Sequence, residues 1–397
     1  MPAVSSAPAR APRITAVRRQ EERVLPLELF FDLVFVLCLT QCTALMATNP
    51  TWEGLGQGLL ILCLIWWAWV GYAWLTSVID PEEGVVRIVI FTSMAAFLVL
   101  ALCVPDAFGD DAVIFACAYG IVRAAHIALF LIASRDDPEL RRSVLGLGGG
   151  TAVGVGLLLA GAIAGGETQT VLWILSFVLD MAEPAFFGAA GWRLMPSHFA
   201  ERHGLIVLIA IGESIVAIGA GAETQIDAGV ITAAVLGIVV AAALWWLYFD
   251  VVATAAEHRL SRATPGREQN EIARDSYSFL HFPMVAGIVL IALGMKKTLG
   301  EVGEPLKAET AVAILGGTSL YLIGHVAFRL RNIRTLNVQR LVCAGVLLAL
   351  VPVAVAVDAL VTVAMIAALL TAVITYETLR FAELRDRIRH QLAREPG

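Results

Sequence analysis

The chain has 397 residues, of which 58% are hydrophobic and 16% charged, and its formal net charge is −6. Soluble domains are about 45–50% apolar and about 25% charged, so this composition excludes an ordinary water-soluble protein. We therefore expect the lipid bilayer as the main partner of the chain, and no nucleic-acid partner.

The predicted elements are helices, because apolar stretches of about 20 residues, enough to cross ~30 Å of hydrocarbon, recur along the chain. The sequence predicts about twelve membrane-spanning helices, near 27–47, 55–78, 85–104, 112–133, 143–164, 168–190, 202–222, 227–251, 272–294, 310–330, 337–356 and 359–380. The predicted fold class is thus all-α, a polytopic integral membrane helical bundle.

Basic residues outside these spans fix the expected orientation. Arginines precede the first span and then cluster in every second connection: Arg10, Arg13, Arg18, Arg19, Arg23, Arg135, Arg141, Arg142, Arg193, Arg259, Arg262, Arg267, Arg331, Arg334 and Arg340. All three lysines, Lys296, Lys297 and Lys307, fall in loop 295–309, which is one of the alternate connections on the opposite side. Because arginine-rich loops stay inside, we expect both termini in the cytoplasm of a bacterium and the protein in its inner membrane.

The ends of the chain and its cysteines are expected to be simple. Residues 1–24 carry no apolar core, which indicates a disordered basic cytoplasmic tail and no cleavable signal peptide. Residues 382–397 form a second cytoplasmic tail. The six cysteines contain no CxxC pair, so we interpret them as buried small hydrophobic residues and expect no metal site.

The chain divides into two halves, 25–192 and 193–381, with six predicted spans each. Aligning the halves places Glu28 opposite Glu201, and the pair Trp66 and Trp67 opposite Trp245 and Trp246. This pattern suggests an internal duplication. Since six is an even number, the two halves would share one orientation and be related by an axis along the membrane normal.

Charged residues inside the spans of the first half are candidates for function, since burying one in hydrocarbon costs ~2.5–3.5 kcal/mol or more. Glu28 and Asp32 lie one turn apart on the first span. On the fourth and sixth spans lie Arg123, His126, Asp180 and Glu183. Arg123 is expected to pair with Asp180, with Asp32 as the alternative. These charges form either a neutralising ion pair that locks the first half together, or a gate or a substrate counter-ion.

The seventh span carries the strongest single candidate. Glu213 lies about twelve residues into it, hence ~18 Å deep, followed by Ser214. Such a carboxyl either pairs with an arginine of another helix or stays protonated and exchanges a proton. Glu201 and Arg202 at the start of the same span belong to the candidate charge network. Gly212 and Gly219 share a face, which predicts close packing or a local break there.

Other polar positions are weaker candidates. Asp250, Glu257, Arg274, His281 and His325 lie near predicted span ends, where long polar side chains usually reach the interface. The glycine run at 148–156 indicates a close helix contact, because no Walker lysine follows it. We find no hydrolase or dinucleotide-binding motif in a plausible setting, so we expect no enzyme and no cofactor.

Two motifs resemble one known family. Residues 27–36, LELFFDLVFV, together with Glu201, Arg202, Gly204, Leu205, Gly212, Glu213 and Ser214, resemble the bacterial low temperature requirement A family. The resemblance covers nearly the whole chain and implies a polytopic inner-membrane protein. The chain departs from the family at His203, where an aromatic residue is typical. The family name records a growth phenotype and therefore implies no substrate.

From the buried acids we expect a proton-coupled or ion-coupled secondary transporter of a small solute or ion. In this hypothesis Glu213 and Asp32, supported by Glu28 and Ser214, exchange protons or bind a cation between the halves. Two alternatives stay open: an ion channel, and a non-transporting scaffold or sensor linked to growth at low temperature. A water-accessible cavity at Glu213 would favour transport, whereas a bundle with every carboxylate paired would favour the scaffold.

Overall fold

The computed structural model describes residues 23–82, 84–187, 192, 194–222 and 226–383. The predicted terminal tails and Arg193 lie almost wholly or entirely outside these ranges. Within them the chain is helical and forms no strand, which confirms the all-α class. The helices are α1 Pro26–Thr48, α2 Trp52–Thr76, α3 Gly84–Cys103, α4 Ala112–Ala133, α5 Pro138–Ala164, α6 Gly166–Phe187, α7 Pro196–Gly221, α8 Ala228–Phe249, α9 Val252–Ser261, α10 Arg267–Gly300, α11 Ala308–Ile333, α12 Val338–Ala349 and α13 Ala359–Arg380.

Ten helical segments of the described chain are long and apolar enough to cross a bilayer. α8 and α9 together form one of them, Ala228–Ser261. α6 and α12 occupy the positions of the predicted sixth and eleventh spans but are not among the ten. α6 carries the buried acids Asp180 and Glu183, and α12 has only 12 residues. A polytopic helical membrane protein is thus confirmed, while twelve spans stay a prediction.

The starts and ends of several helices follow from local chemistry. The side chains of Thr51, Asp137, Asp227 and Asn337 each accept a backbone N–H at the start of α2, α5, α8 and α12. The expected continuous helix over 337–356 was wrong. α12 ends at Ala349, and a separate turn, Val351–Ala354, follows, because Pro352 clashes with a helical carbonyl four residues before it.

The order of helix neighbours is the same in the two halves. In the first half α1 contacts α2 and α3, α3 contacts α4, α4 contacts α5, α5 contacts α6, and α6 contacts α2. In the second half α7 contacts α8 and α10, α10 contacts α11, α11 contacts α12, α12 contacts α13, and α13 contacts α8. The halves meet where α1 and α2 pack on α7 and α10. A duplication would produce this correspondence.

The surface and two irregular turns complete the architecture. Large apolar side chains are exposed on most of the long helices, as expected where the solvent is lipid.

All six cysteines are free, but Cys117 is exposed, so the interpretation of every cysteine as buried was wrong. α10 contains a π-helical turn at Ala273–Phe279 and α11 another at Val312–Gly316. Such turns are frequent at functional sites.

Candidate functional site

An ion cluster joins the two halves where α1 meets α7. Arg202 of α7 donates from Nη2 to Oδ1 of Asp32 at 2.5 Å and from Nη1 to Oε1 of Glu28 at 3.3 Å. His198, one turn earlier on α7, lies 2.8 Å through Nε2 from the same Glu28 oxygen. All four side chains are buried. We call these residues, Glu28, Asp32, His198 and Arg202, the interhalf cluster.

Residues of α2 hold the interhalf cluster in place. Trp69 donates from its indole nitrogen to Oδ1 of Asp32 at 2.8 Å, and the Arg202 guanidinium lies 5.5 Å from the Trp69 ring centroid. Thr76 accepts a hydrogen bond from Arg202 at 2.8 Å. A single guanidinium therefore contacts two carboxylates, and a tryptophan and a threonine add further contacts that stabilise this buried arrangement.

Asp32 does not pair with Arg123, although the sequence left that pairing open. The sequence offered Asp32 as a second possible partner of Arg123, whereas the structure pairs it with Arg202. Glu201, the neighbour of Arg202, points the other way. It is exposed and accepts the backbone N–H of Val24 at 3.0 Å. Glu201 thus lies outside the interhalf cluster.

Glu213 lies further along the same α1–α7 contact. Its carboxyl accepts a hydrogen bond of 2.5 Å from the Thr40 hydroxyl of α1, and Lys296 of α10 acts on it electrostatically. No arginine pairs with Glu213 in the described part of the chain. Ser214, by contrast, donates to the carbonyl oxygen of Ile211 on its own helix at 2.6 Å. Ser214 therefore does not contribute to this carboxyl site.

The expectation of close packing at Gly212 and Gly219 was wrong. A Cβ added at either glycine would meet no heavy atom within 4 Å. The close approach lies at Gly221 instead, where a Cβ would come within 2.6 Å of the carbonyl oxygen of Lys296. α7 and α10 therefore approach each other closely at the end of α7, beyond Glu213.

A second charge cluster lies inside the first half. Arg123 of α4 places Nη2 3.5 Å from Oδ1 of Asp180 and 3.6 Å from Oε2 of Glu183 on α6. Its hydrogen-bond partner at 2.7 Å is the Thr151 hydroxyl of α5. Tyr119 donates to Oδ2 of Asp180 at 2.8 Å. The partner expected for Arg123, Asp180, is thus present, and Glu183 joins it.

The glycine run of α5 makes room for these acids. A Cβ at Gly150 would lie 2.1 Å from Oε1 of Glu183, and one at Gly154 would lie 3.3 Å from Oδ1 of Asp180. Gly149 faces open space. The predicted close helix contact is therefore confirmed, and it serves to bring two carboxyl groups between α5 and α6.

A cavity of about 100 Å³ lies between the halves, with this second cluster in its wall. The first half supplies α2, α4, α5 and α6, and the second half supplies α10. Its lining residues are Trp67, Val70, Gly71, Trp74, Arg123, His126, Ser143, Leu147, Glu183, Trp192, Asn270, Arg274 and Ser278. Glu213 is not among them. We call this space the interhalf cavity.

Polar atoms in the wall of the interhalf cavity lack hydrogen-bond partners among the described residues. They are both carboxyl oxygens of Glu183, both ring nitrogens of His126 and Nε of Arg123. These three side chains are at most 2% exposed. Buried polar groups are normally hydrogen-bonded, and an unmet one costs about 1–3 kcal/mol. A cavity whose wall holds several of them is suited to bind a polar or charged molecule.

The second half contains a comparable ion pair. Arg340 of α12 bonds Glu377 of α13 through two donors, at 3.0 and 2.7 Å, and lies 2.7 Å from Nδ1 of His325. The predictions that Arg340 lies in a loop and that His325 reaches the interface were wrong, because Arg340 lies within α12 and both side chains are buried. In each half, therefore, an arginine pairs with a glutamate of the sixth helix position.

Several residues of these sites gave no usable signal in the sequence. His198, Thr40 and Thr151 were missed, because a single histidine or threonine near an apolar span is too common to single out. The tryptophan pair of α2 is repeated in the second half of the chain. This repeat is the one sequence signal that Trp67 and Trp69 differ from ordinary packing residues. Trp69 donates to Asp32 of α1, and Trp66 and Trp74 donate to Ser278 of α10.

The helices and their buried charge clusters define a polytopic α-helical membrane protein. The chain belongs to the bacterial low temperature requirement A (LtrA) family, whose model matches residues 23–375. It is similar to the Rhizobium meliloti (strain 1021) protein named "Uncharacterized protein RA0937", with 28% identity over 311 residues, which is 75% of each chain. No solved structure matches the chain.

Proposed function

We propose that the protein is an ion-coupled or proton-coupled secondary transporter whose solute binds in the interhalf cavity. The observation that carries this proposal is the set of unpartnered buried atoms on Glu183, His126 and Arg123. Intramembrane ionisable groups that face a cavity usually mark a substrate or ion pathway. The location between two similarly arranged halves is also where transporters built from repeats bind their solutes.

A purely structural role explains the other clusters better than it explains this one. In the interhalf cluster every residue has a partner at hydrogen-bonding distance, and the atoms without one are Oδ2 of Asp32 and Nε of Arg202. Glu183, by contrast, has no hydrogen bond to either carboxyl oxygen, and Arg123 is 3.6 Å away. A scaffold would gain nothing from such a carboxyl beside a cavity, since each lost hydrogen bond destabilises the fold. Glu183 therefore supports a ligand in the cavity, whereas the shorter contacts of the interhalf cluster support a clamp between the halves.

In this proposal Glu213 is the coupling carboxyl. Thr40 and Glu28 lie twelve positions apart on α1, or ~18 Å along the helix, so the α1–α7 contact has an ion cluster near one end and the Thr40–Glu213 hydrogen bond towards the other. If the halves rock against each other, both contacts must change. A carboxyl that has a hydroxyl partner and no arginine among the described residues can take up and release a proton during that change.

The orientation of the chain is part of the same proposal. With both termini in the cytoplasm of the inner membrane, Ser143 and Arg274, near the starts of α5 and α10, lie at the cytoplasmic side of the cavity. The solute would therefore reach the cavity from the cytoplasm in this conformation.

Uptake into liposomes tests the proposal. The reconstituted protein should move at least one member of a panel of metabolites and ions, with or without an imposed proton gradient. Glu183→Gln should abolish that flux, whereas the matched control Glu167→Gln, on the exposed part of the same helix, should transport as the wild type does. A folded protein that moves no solute under any gradient would favour the scaffold or sensor, and flux that survives Glu183→Gln would remove the cavity from the pathway.

A further inference from the structure

Glu183 is the acid that lines the interhalf cavity. Among the described residues at the inner wall, one guanidinium, that of Arg123, lies within 3.6 Å of both Asp180 and Glu183. Arg274, the other arginine of the wall, lies 2.8 Å from Asp275, a carboxylate that Arg331 shares at 3.1 Å. Glu183 thus shares its nearby cation with a second acid, and neither of its carboxyl oxygens accepts a hydrogen bond from a described residue.

The remaining walls indicate which kind of cation fits. Trp67, Trp74 and Trp192 line the cavity together with Val70 and Leu147. Mg²⁺ and Ca²⁺ need about six to eight oxygen ligands, more than the side chains of Glu183, Ser143, Asn270 and Ser278 supply in this wall. An organic ammonium group needs one carboxylate and benefits from aromatic rings around its methyl or methylene groups.

We propose that the interhalf cavity binds a small organic monocation, a primary to quaternary ammonium compound, with its charge against Glu183. The assignment rests on the proposed function, since it names the class of solute for the same cavity. About 100 Å³ of space accommodates a compact ammonium of a few heavy atoms. The ammonium group lies against the Glu183 carboxyl, whose two oxygens have no hydrogen-bond donor among the described residues, and its apolar substituents meet the tryptophans. No covalent step is involved.

Binding to the full chain in detergent tests this inference separately from transport. Titration calorimetry would use tetramethylammonium and methylammonium chloride. Potassium chloride, which supplies an inorganic cation, and sodium acetate, which supplies an organic anion, would serve as comparison salts at equal ionic strength. Wild-type protein should bind at least one ammonium salt saturably and neither comparison salt. Glu183→Gln should weaken the binding at least tenfold, whereas Glu167→Gln should leave it unchanged.

A second variant guards against misfolding of Glu183→Gln. Leu147→Trp keeps every charge but fills the cavity, and it should also abolish ammonium binding. Wild-type protein that binds no ammonium salt, or that prefers acetate or potassium, would overturn the inference, as would undiminished binding in either folded variant. Ammonium binding without any solute flux would contradict the transporter and leave this binding site standing. Flux of other solutes without ammonium binding would contradict only the inference.

Discussion

Removal of Arg202 is the perturbation whose cost the structure defines best. The Arg202 guanidinium lies 2.5 Å from Asp32 and 3.3 Å from Glu28, and both acids are at most 1% exposed. Arg202→Met keeps much of the side-chain volume but leaves two buried carboxylates facing each other without their cation. Loss of one partner from a buried ion pair costs about 3–5 kcal/mol, and we expect the free energy of unfolding to fall by that amount.

Asp32→Asn then separates charge from packing. The amide retains the shape and can still accept the Trp69 hydrogen bond of 2.8 Å, so this variant alone should lose less stability than Arg202→Met. Combined with Arg202→Met, it removes one of the two stranded charges. The double variant should therefore be more stable than the sum of the single losses predicts, by about 0.5–3 kcal/mol.

Equilibrium unfolding in mixed detergent micelles, followed by tryptophan fluorescence and helical circular dichroism, would measure these free energies. Arg267→Met is the control, because Arg267 forms an exposed pair with Glu271 on the surface, and it should leave stability close to that of the wild type. A loss below ~1 kcal/mol for Arg202→Met, or strict additivity in the double variant, would refute the clamp between the halves.

Three further predictions address other parts of the molecule. Glu213→Gln should fold and express as the wild type does, because the amide keeps the Thr40 contact. It should lose solute flux and support for growth in the cold, because the titratable charge is gone. Full activity in a stable variant would exclude Glu213 from the mechanism. Gly150→Ala should reduce flux, since its Cβ would lie on a Glu183 oxygen, whereas Gly149→Ala, facing open space, should not; equal effects would contradict the packing. With the six native cysteines replaced, Lys307→Cys should react with an impermeant thiol reagent in intact cells, and reaction only after permeabilisation would reverse the topology.

The helices could be predicted from the sequence because each depends on a local property. An apolar stretch of about 20 residues has few alternatives to a membrane helix, and most observed helices lie within a few residues of the predicted spans. The exception at 337–356 is also local in origin, since Pro352 breaks the helix. Its effect was hidden because the flanking residues are all apolar.

The ion pairs could be predicted only in part, because helix periodicity gives the face of a residue but not the helix that lies opposite. Arg123 and Asp180 belong to the fourth and sixth spans of one half, and their pairing followed from similar depth. Arg202 and Asp32 are 170 positions apart, and their contact depends on how the halves dock. Arg340 was misplaced because an arginine at a span boundary is usually a loop residue, and only the facing Glu377 shows otherwise.

The interhalf cavity could not be predicted from the sequence at all. It is a space left by five helices and not a property of any one of them. The polar residues of its wall differ from other buried polar residues in that several of their atoms lack hydrogen-bond partners among the described residues. Both Glu183 and Glu213 are acids within apolar helices. Their environments separate them, since Glu213 has a hydroxyl partner whereas Glu183 faces the cavity.

Accessibility of the cavity wall during transport tests the central claim most directly. Leu147 lines the cavity, whereas Leu145, two residues earlier on α5, is 57% exposed on the outer face of the bundle. In protein freed of native cysteines, a charged thiol reagent applied from the cytoplasmic side should modify Leu147→Cys and stop solute flux, and transported solute should slow this modification. The same reagent should leave flux through Leu145→Cys intact. Unmodified Leu147→Cys, or full flux after complete modification, would contradict a transport pathway through the interhalf cavity.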